Sequence, residues 1–213
     1  MSHHLSYHTA TRREVATMLP PFAEKVLEIG CGTGGTLSFL KDSGRCSWIG
    51  GVELASAAHA LASERLDRTW CGNIETLDLG LPAGDLDAVL CLDVLEHLAD
   101  PWAVTARLVS LLKPGGVLIA SIPNVRYYKV SFGLLFDGRW DYQDNGVLDR
   151  THLRFFVRDT AAELLTQSGL RVERIQPLLA LKKWKLKWLL NAVSGGRLTD
   201  LYAIQYLLQG VKP

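Results

Sequence analysis

The run Val26-Leu27-Glu28-Ile29-Gly30-Cys31-Gly32-Thr33-Gly34-Gly35 constrains the fold more than any other stretch. Its apolar first half reads as a buried strand. Its glycine-spaced second half turns the backbone sharply into a helix and lets a ligand approach the peptide groups themselves. Gly30, Gly32 and Gly35 also satisfy the GxGxxG spacing of a dinucleotide site, a pattern that is weak when it stands alone. Glu28 bears on that choice. A strand feeding a pyrophosphate would be better without a carboxylate two residues before the first glycine, whereas a cationic ligand would be attracted by it.

Downstream, short apolar or β-branched runs alternate with helical patterns, the signature of a mostly parallel sheet covered on both faces. Strands are predicted over Lys25 to Gly30, Cys46 to Glu53, Arg68 to Gly72, Leu86 to Asp93, Gly116 to Ile122, Leu170 to Pro177 and Tyr202 to Leu208, the last antiparallel. Helices are predicted at Thr36 to Asp42, Ser56 to Asp67, Pro101 to Leu112 and Arg158 to Ser168. Pro101 follows Asp100 at a helix start, where its missing N–H costs nothing. Lys113-Pro114-Gly115-Gly116 should stop that helix and turn into the next strand. The expectation is an α/β Rossmann-like sheet of seven strands in a single domain over residues 1–213. Its cofactor half covers about 24–122, and insertions at about 123–157 and 178–199 cover the substrate.

The segment Glu28-Ile29-Gly30-Cys31-Gly32-Thr33-Gly34 resembles the first motif of class I S-adenosylmethionine-dependent methyltransferases. Val89 to Leu98, which contains Asp93-Val94-Leu95-Glu96-His97, and the turn Leu112-Lys113-Pro114-Gly115-Gly116 are similar to later motifs of that family. The resemblance implies S-adenosylmethionine as cofactor, whose ammonium Glu28 would attract directly or through water. It further implies Gly30, Cys31, Gly32 and Gly34 along the ligand, Glu53 on the ribose hydroxyls, and Asn73 on the adenine amine in place of the usual acid. Leu54 and Ile74 would lie against the adenine faces, with Leu92 and Asp93 by the methionine part. For Asn73 a plain turn asparagine is the alternative, and Leu54 and Ile74 read equally well as core.

A methyl on a sulfonium is already activated, so the protein mainly has to align an acceptor about 3 Å from it. A hydroxyl acceptor also has to lose a proton. His152 is the candidate base, with Asp93 a weaker one; a loop-bracing histidine is the alternative reading. Asn124, Arg126, Trp140, Tyr142, Arg150 and Arg154 mix aromatics with hydrogen-bonding groups suited to orienting a ring-shaped small-molecule acceptor. The stretch from Ser121 to Phe156 resembles bacterial methyltransferases associated with surface-polysaccharide and sugar modification, which implies a sugar or glycan acceptor. His97 reads as a hydrogen-bonded structural histidine.

Lys and Arg total 23 against 22 Asp and Glu, so no global field draws the chain to nucleic acid. No motif for gripping a flipped base is present. Leu181 to Leu190 places Leu181, Trp184 and Trp188 on one helical face among lysines. Contact with an anionic membrane surface and packing over the cleft or in a homodimer both fit it. The absence of a long apolar run suggests a cytoplasmic protein. Cys31, Cys46, Cys71 and Cys91 lack metal-ligand spacing and read as buried reduced thiols. His3, His4 and His8 belong to an N-terminal arm, and no metal site is evident. The alternatives are a cofactor-binding regulator or scaffold without its own turnover, and N- or C-methylation of a lipid-linked or other small acceptor; Glu28 and the Val89 to Leu98 motif count against a nicotinamide-dependent oxidoreductase.

Overall fold

The computed structural model describes residues 11–179 and 198–213. The leading histidines and the Leu181 to Leu190 segment therefore lie outside the described residues. Seven strands form one sheet: β1 (Lys25–Ile29), β2 (Trp48–Glu53), β3 (Arg68–Cys71), β4 (Leu86–Leu92), β5 (Leu112–Pro123), β6 (Arg171–Leu179) and β7 (Ala203–Val211). Their order is β3-β2-β1-β4-β5-β7-β6. The first five run parallel, and β7 slots antiparallel between β5 and β6, as expected of the last strand.

Both faces of the sheet are buried, and that explains the continuous apolar runs. Neighbouring residues point to opposite sides. Leu27, Val89, Cys91, Leu118 and Ala120 join one core, which also takes Leu108 of α3 (Pro101–Leu111) and Leu164 of α5 (Arg158–Gln167). Val26, Leu90, Leu92 and Ile119 join the other, with Leu37 and Leu40 of α1 (Gly35–Asp42) and Ala62 of α2 (Ser56–Ser63). The Asp100 carboxylate caps α3 by accepting from the Ala103 N–H at 3.0 Å, with Pro101 behind it.

Three expectations need correction. The Lys113 to Gly116 turn is not outside the sheet: β5 begins at Leu112, and the turn is absorbed as an irregularity where pairing jumps from Leu86–Leu112 to Ala88–Val117. Gly115 supplies the positive φ of +77° there. Second, the stretch after β5 contains an unanticipated helix, α4 (Tyr128–Asp137), whose apolar residues Phe132, Leu134, Leu135 and Phe136 are largely exposed. Lacking a clean buried stripe, it carries no amphipathic signature. Third, Cys71 is exposed, because β3 is the edge strand; the other three thiols are buried.

Candidate functional site

β2, β1 and β4 are adjacent and parallel, so their carboxyl ends share one edge of the sheet, the edge at which open α/β sheets bind ligands. The glycine loop after β1 is tied to β2: the Gly30 and Cys31 N–H groups both donate to Val52 O, at 2.8 and 3.0 Å. Gly30 has φ +71°, and a Cβ there would sit 2.7 Å from Val94 Cγ2. Only glycine suits that position.

Glu53 ends β2, is 5% exposed, and braces the loop. Its Oε2 accepts from Gly32 N–H and its Oε1 from Ala55 N–H, both at 2.8 Å. Lone pairs remain on both oxygens for a ligand hydroxyl. Glu28 behaves differently. It is 3% exposed, and its Oε2 has no hydrogen-bond partner among the described residues. Burial pushes its carboxyl up to about 8; the Arg12 charge opposes this rise and Glu53 adds to it. An orphaned buried carboxylate under a glycine loop fits a cofactor that brings an ammonium.

Arg12 was not anticipated. Its Nη1 pairs with Asp93 and its Nη2 reaches Ser121 Oγ at 3.2 Å. The Arg12-Arg13 pair carries no motif, and only folding brings Arg12 to Asp93 across 81 positions. Asp93 is the one non-glycine residue with positive φ, +57°, among the described residues. Ser121 Oγ donates to Asp93 Oδ1 at 2.8 Å and the Gln205 amide donates to the same oxygen. Arg12 on Oδ2 and the Ser121 and Gln205 donors on Oδ1 thus engage both Asp93 oxygens.

At the neighbouring strand ends, Leu54 is 70% exposed while Ile74 is 4% exposed and packs in the core. Asn73 turns its amide oxygen to the Glu75 N–H at 2.9 Å, making its own turn. Cys31 and Leu92 are buried beside the loop and at the end of β4.

The acceptor-side expectations divide. Asn124 is fully buried and spent: its amide donates to Asp200 O at 2.7 Å and Ala203 O at 2.8 Å, and its oxygen accepts from Arg126 N–H at 3.0 Å. Its place is structural, not substrate-facing, because every polar atom already has a partner. Arg126 pairs with Asp200, and Arg150 with Asp144, at the surface. Arg154 is fixed on Ala99 O and lies over the Trp102 ring. Trp140 and Tyr142 gather around Phe155, with ring centroids 5.1 and 6.5 Å away. His152 is 8% exposed, and its Nδ1 lies 3.1 Å from Val147 O. Burial, aided by His97, holds its pKa below the usual imidazole value. His97 faces it edge-on at 4.7 Å, and its Nδ1 lies 3.3 Å from Thr151 O.

The parallel five-strand half, the inserted antiparallel β7 and the loop over Glu28 define a Rossmann-like methyltransferase fold. Residues 1–175 match a family described as a methyltransferase domain. The chain is 30% identical over 208 residues to a ubiquinone biosynthesis O-methyltransferase of Xanthomonas axonopodis pv. citri, covering 93% of this chain and 80% of that protein. To the enzyme of the same name from Idiomarina loihiensis it is 41% identical over 109 residues, 48% of this chain and 44% of that one. A solved S-adenosylmethionine-dependent methyltransferase of Thermotoga maritima, described as a possible histamine N-methyltransferase, superposes with TM-score 0.66 at 20% identity. That match covers 100% of this chain and 94% of the other.

The chain belongs to the class I S-adenosylmethionine-dependent methyltransferase family, and it is an enzyme of that class. The Xanthomonas and Idiomarina relatives carry a ubiquinone-pathway name, so the sugar or glycan acceptor implied by the resemblance finds no support in them. No helix among the described residues is long and apolar enough to cross a membrane.

Proposed function

We propose that this enzyme transfers a methyl group from S-adenosylmethionine to the hydroxyl oxygen of a small, ring-shaped acceptor. The observation that carries the reading is the buried Glu28 carboxyl group, whose Oε2 has no hydrogen-bond partner among the described residues. Glu28 would take the cofactor's ammonium and Arg12 its carboxylate. The Gly30 to Gly34 backbone would line it, Glu53 would accept from the ribose hydroxyls, and Leu54, with Asn73 at its edge, would cover the adenine. The cofactor supplies an activated methyl. As the acceptor oxygen bonds to that carbon, the carbon–sulfur bond breaks, its electron pair stays on sulfur, and the hydroxyl proton is released.

Oxygen as the attacking atom is favoured by the O-methyltransferase name of the relatives. A ring-shaped acceptor is favoured by the aromatic wall of Trp140, Tyr142 and Phe155. His152, neutral and beside Asp93, would receive the proton. Calorimetric titration with S-adenosylmethionine and S-adenosylhomocysteine tests the cofactor, with NAD as control and Glu28→Gln as the disabling variant. Because Glu53 also braces the loop, Glu53→Gln is a gentler probe of the ribose contact than alanine. One-site binding weakened in both variants is expected; preference for NAD would overturn the reading. Phenolic and sugar hydroxyl acceptors compared under saturating cofactor would then decide the substrate class.

A further inference from the structure

Glu96 is the most anomalous buried group in the structure. It sits in the short turn Leu95–His97 after β4, is 1% exposed, and neither carboxylate oxygen has a hydrogen-bond partner among the described residues. Its backbone carbonyl is fully used, accepting from Leu153 N–H at 2.8 Å and Arg154 N–H at 3.0 Å. Those bonds fix the His152 loop against it. A carboxyl with two idle oxygens in a dry site calls for a partner the protein chain does not supply.

The two histidines beside it are held like metal ligands. His152 Nδ1 lies 3.1 Å from a carbonyl, Val147 O, so this nitrogen carries the proton and Nε2 keeps its lone pair. For His97 the same follows in two steps. Thr151 Oγ1 gives its only proton to Asp149 Oδ1 at 2.6 Å. Its 3.1 Å contact with His97 Nδ1 therefore needs the hydrogen on the ring, as does the 3.3 Å contact with Thr151 O. Tying one ring nitrogen to a carbonyl is how proteins orient imidazole for a cation. One ligand atom from each of Glu96, His97 and His152 lies within 4.8 Å of the others. Ligands at about 2.1 Å from one ion stand up to about 4.2 Å apart, so closing the site needs less than about 1 Å of side-chain rotation.

We propose that Glu96, His97 and His152 form a divalent transition-metal site that borders the methyl-transfer crevice. Two imidazoles and one carboxylate suit Zn²⁺, Co²⁺ or Mn²⁺, and disfavour Mg²⁺ and Ca²⁺, which prefer all-oxygen sets. Three protein ligands leave positions open for water or an acceptor oxygen. Both Asp93 and Asp149 add negative charge nearby. The expectation of no metal site rested on cysteine spacing, which cannot show His97 and His152 meeting across 55 positions. The site itself stands on geometry; its effect on the acceptor rests on the methyl-transfer reading. There a bound cation would acidify the hydroxyl and occupy the His152 lone pair, so that in the metal-bound enzyme it replaces His152 in the base role proposed above.

The test is a Co²⁺ titration of the full chain followed by visible absorption, with Zn²⁺ competition by calorimetry. His3, His4 and His8 are replaced by alanine in all samples to remove adventitious ligands. One equivalent should bind, weakened at least about 100-fold by Glu96→Gln and by His152→Gln, while S-adenosylmethionine affinity stays unchanged. If Glu96→Gln does not fold, His152→Gln decides. Absent one-to-one binding, or binding that the folded variants leave within about three-fold, the proposal is overturned. Cation binding by a protein that ignores S-adenosylmethionine would sink the methyl-transfer reading and leave the metal site standing.

Discussion

Glu28 gives the cofactor site a proton signature. Its carboxyl ordinarily titrates near 4.5; burial raises it to about 8, against the pull of Arg12 and with a push from Glu53. At pH 7 the free enzyme therefore holds a proton on Glu28 in about nine molecules of ten. A bound ammonium favours the ionised form, so binding expels about 0.9 proton at pH 7 and only about 0.1 at pH 9. The cofactor's own amino group, with a pKa of about 8, takes up about 0.1 proton on binding at pH 7 but about 0.9 at pH 9, so the net release of about 0.8 at pH 7 vanishes near pH 8.

Titrations in phosphate and in Tris, whose ionisation heats differ widely, should give enthalpies that diverge at pH 7 and converge near pH 8. Affinity should rise about nine-fold from pH 6 to pH 7. Glu28→Gln should abolish both effects. Without ligand the same group costs stability: the native state keeps a proton that the unfolded chain loses near pH 4.3, so stability falls as pH rises to about 8. The interval from 4.5 to about 8 corresponds to a ceiling on the order of 5 kcal/mol. Buffer-independent enthalpy at pH 7, or the same proton release from Glu28→Gln, would refute the assignment of Glu28 to the ammonium.

Three further outcomes are expected. Gly30→Ala forces a side chain to φ +71° and against Val94; it should lower stability by about 2 kcal/mol or more, several degrees in thermal unfolding, and weaken cofactor binding. Asn124→Ala strands two carbonyls and the Arg126 N–H. Denaturant melts should show a loss of about 2–4 kcal/mol, with cofactor affinity little changed in the folded fraction. Arg12→Met leaves Asp93 without its cation and should weaken S-adenosylmethionine binding by about ten-fold or more in calorimetry; unchanged affinity would remove Arg12 from the cofactor site.

Much of the cofactor half was legible in the sequence because its signals are local. Val26 to Ile29 had to be a strand buried on both faces, and Gly30, Gly32 and Gly34 had to turn, since positive φ excludes other residues cheaply. Glu28 and Glu53 could be placed because each lies at a strand end, and strand direction fixes which ends meet. Pro101 behind Asp100 marked a helix start correctly.

The acceptor side was read less well. Asn124 looked like a substrate contact, yet it braces β7 against the end of β5. No local pattern says whether an amide faces ligand or backbone. Arg12 meeting Asp93 and Gln205 reaching the same carboxylate are pairings across 81 and 112 positions. The idle Glu96 carboxylate beside two oriented imidazoles is of the same kind. Backbone geometry and hydrophobic period are written residue by residue, so the sequence determined the sheet, the glycine turn and the acids at its edge. Which polar side chains share a dry space depends on how the finished layers pack, and only the tertiary structure decided that.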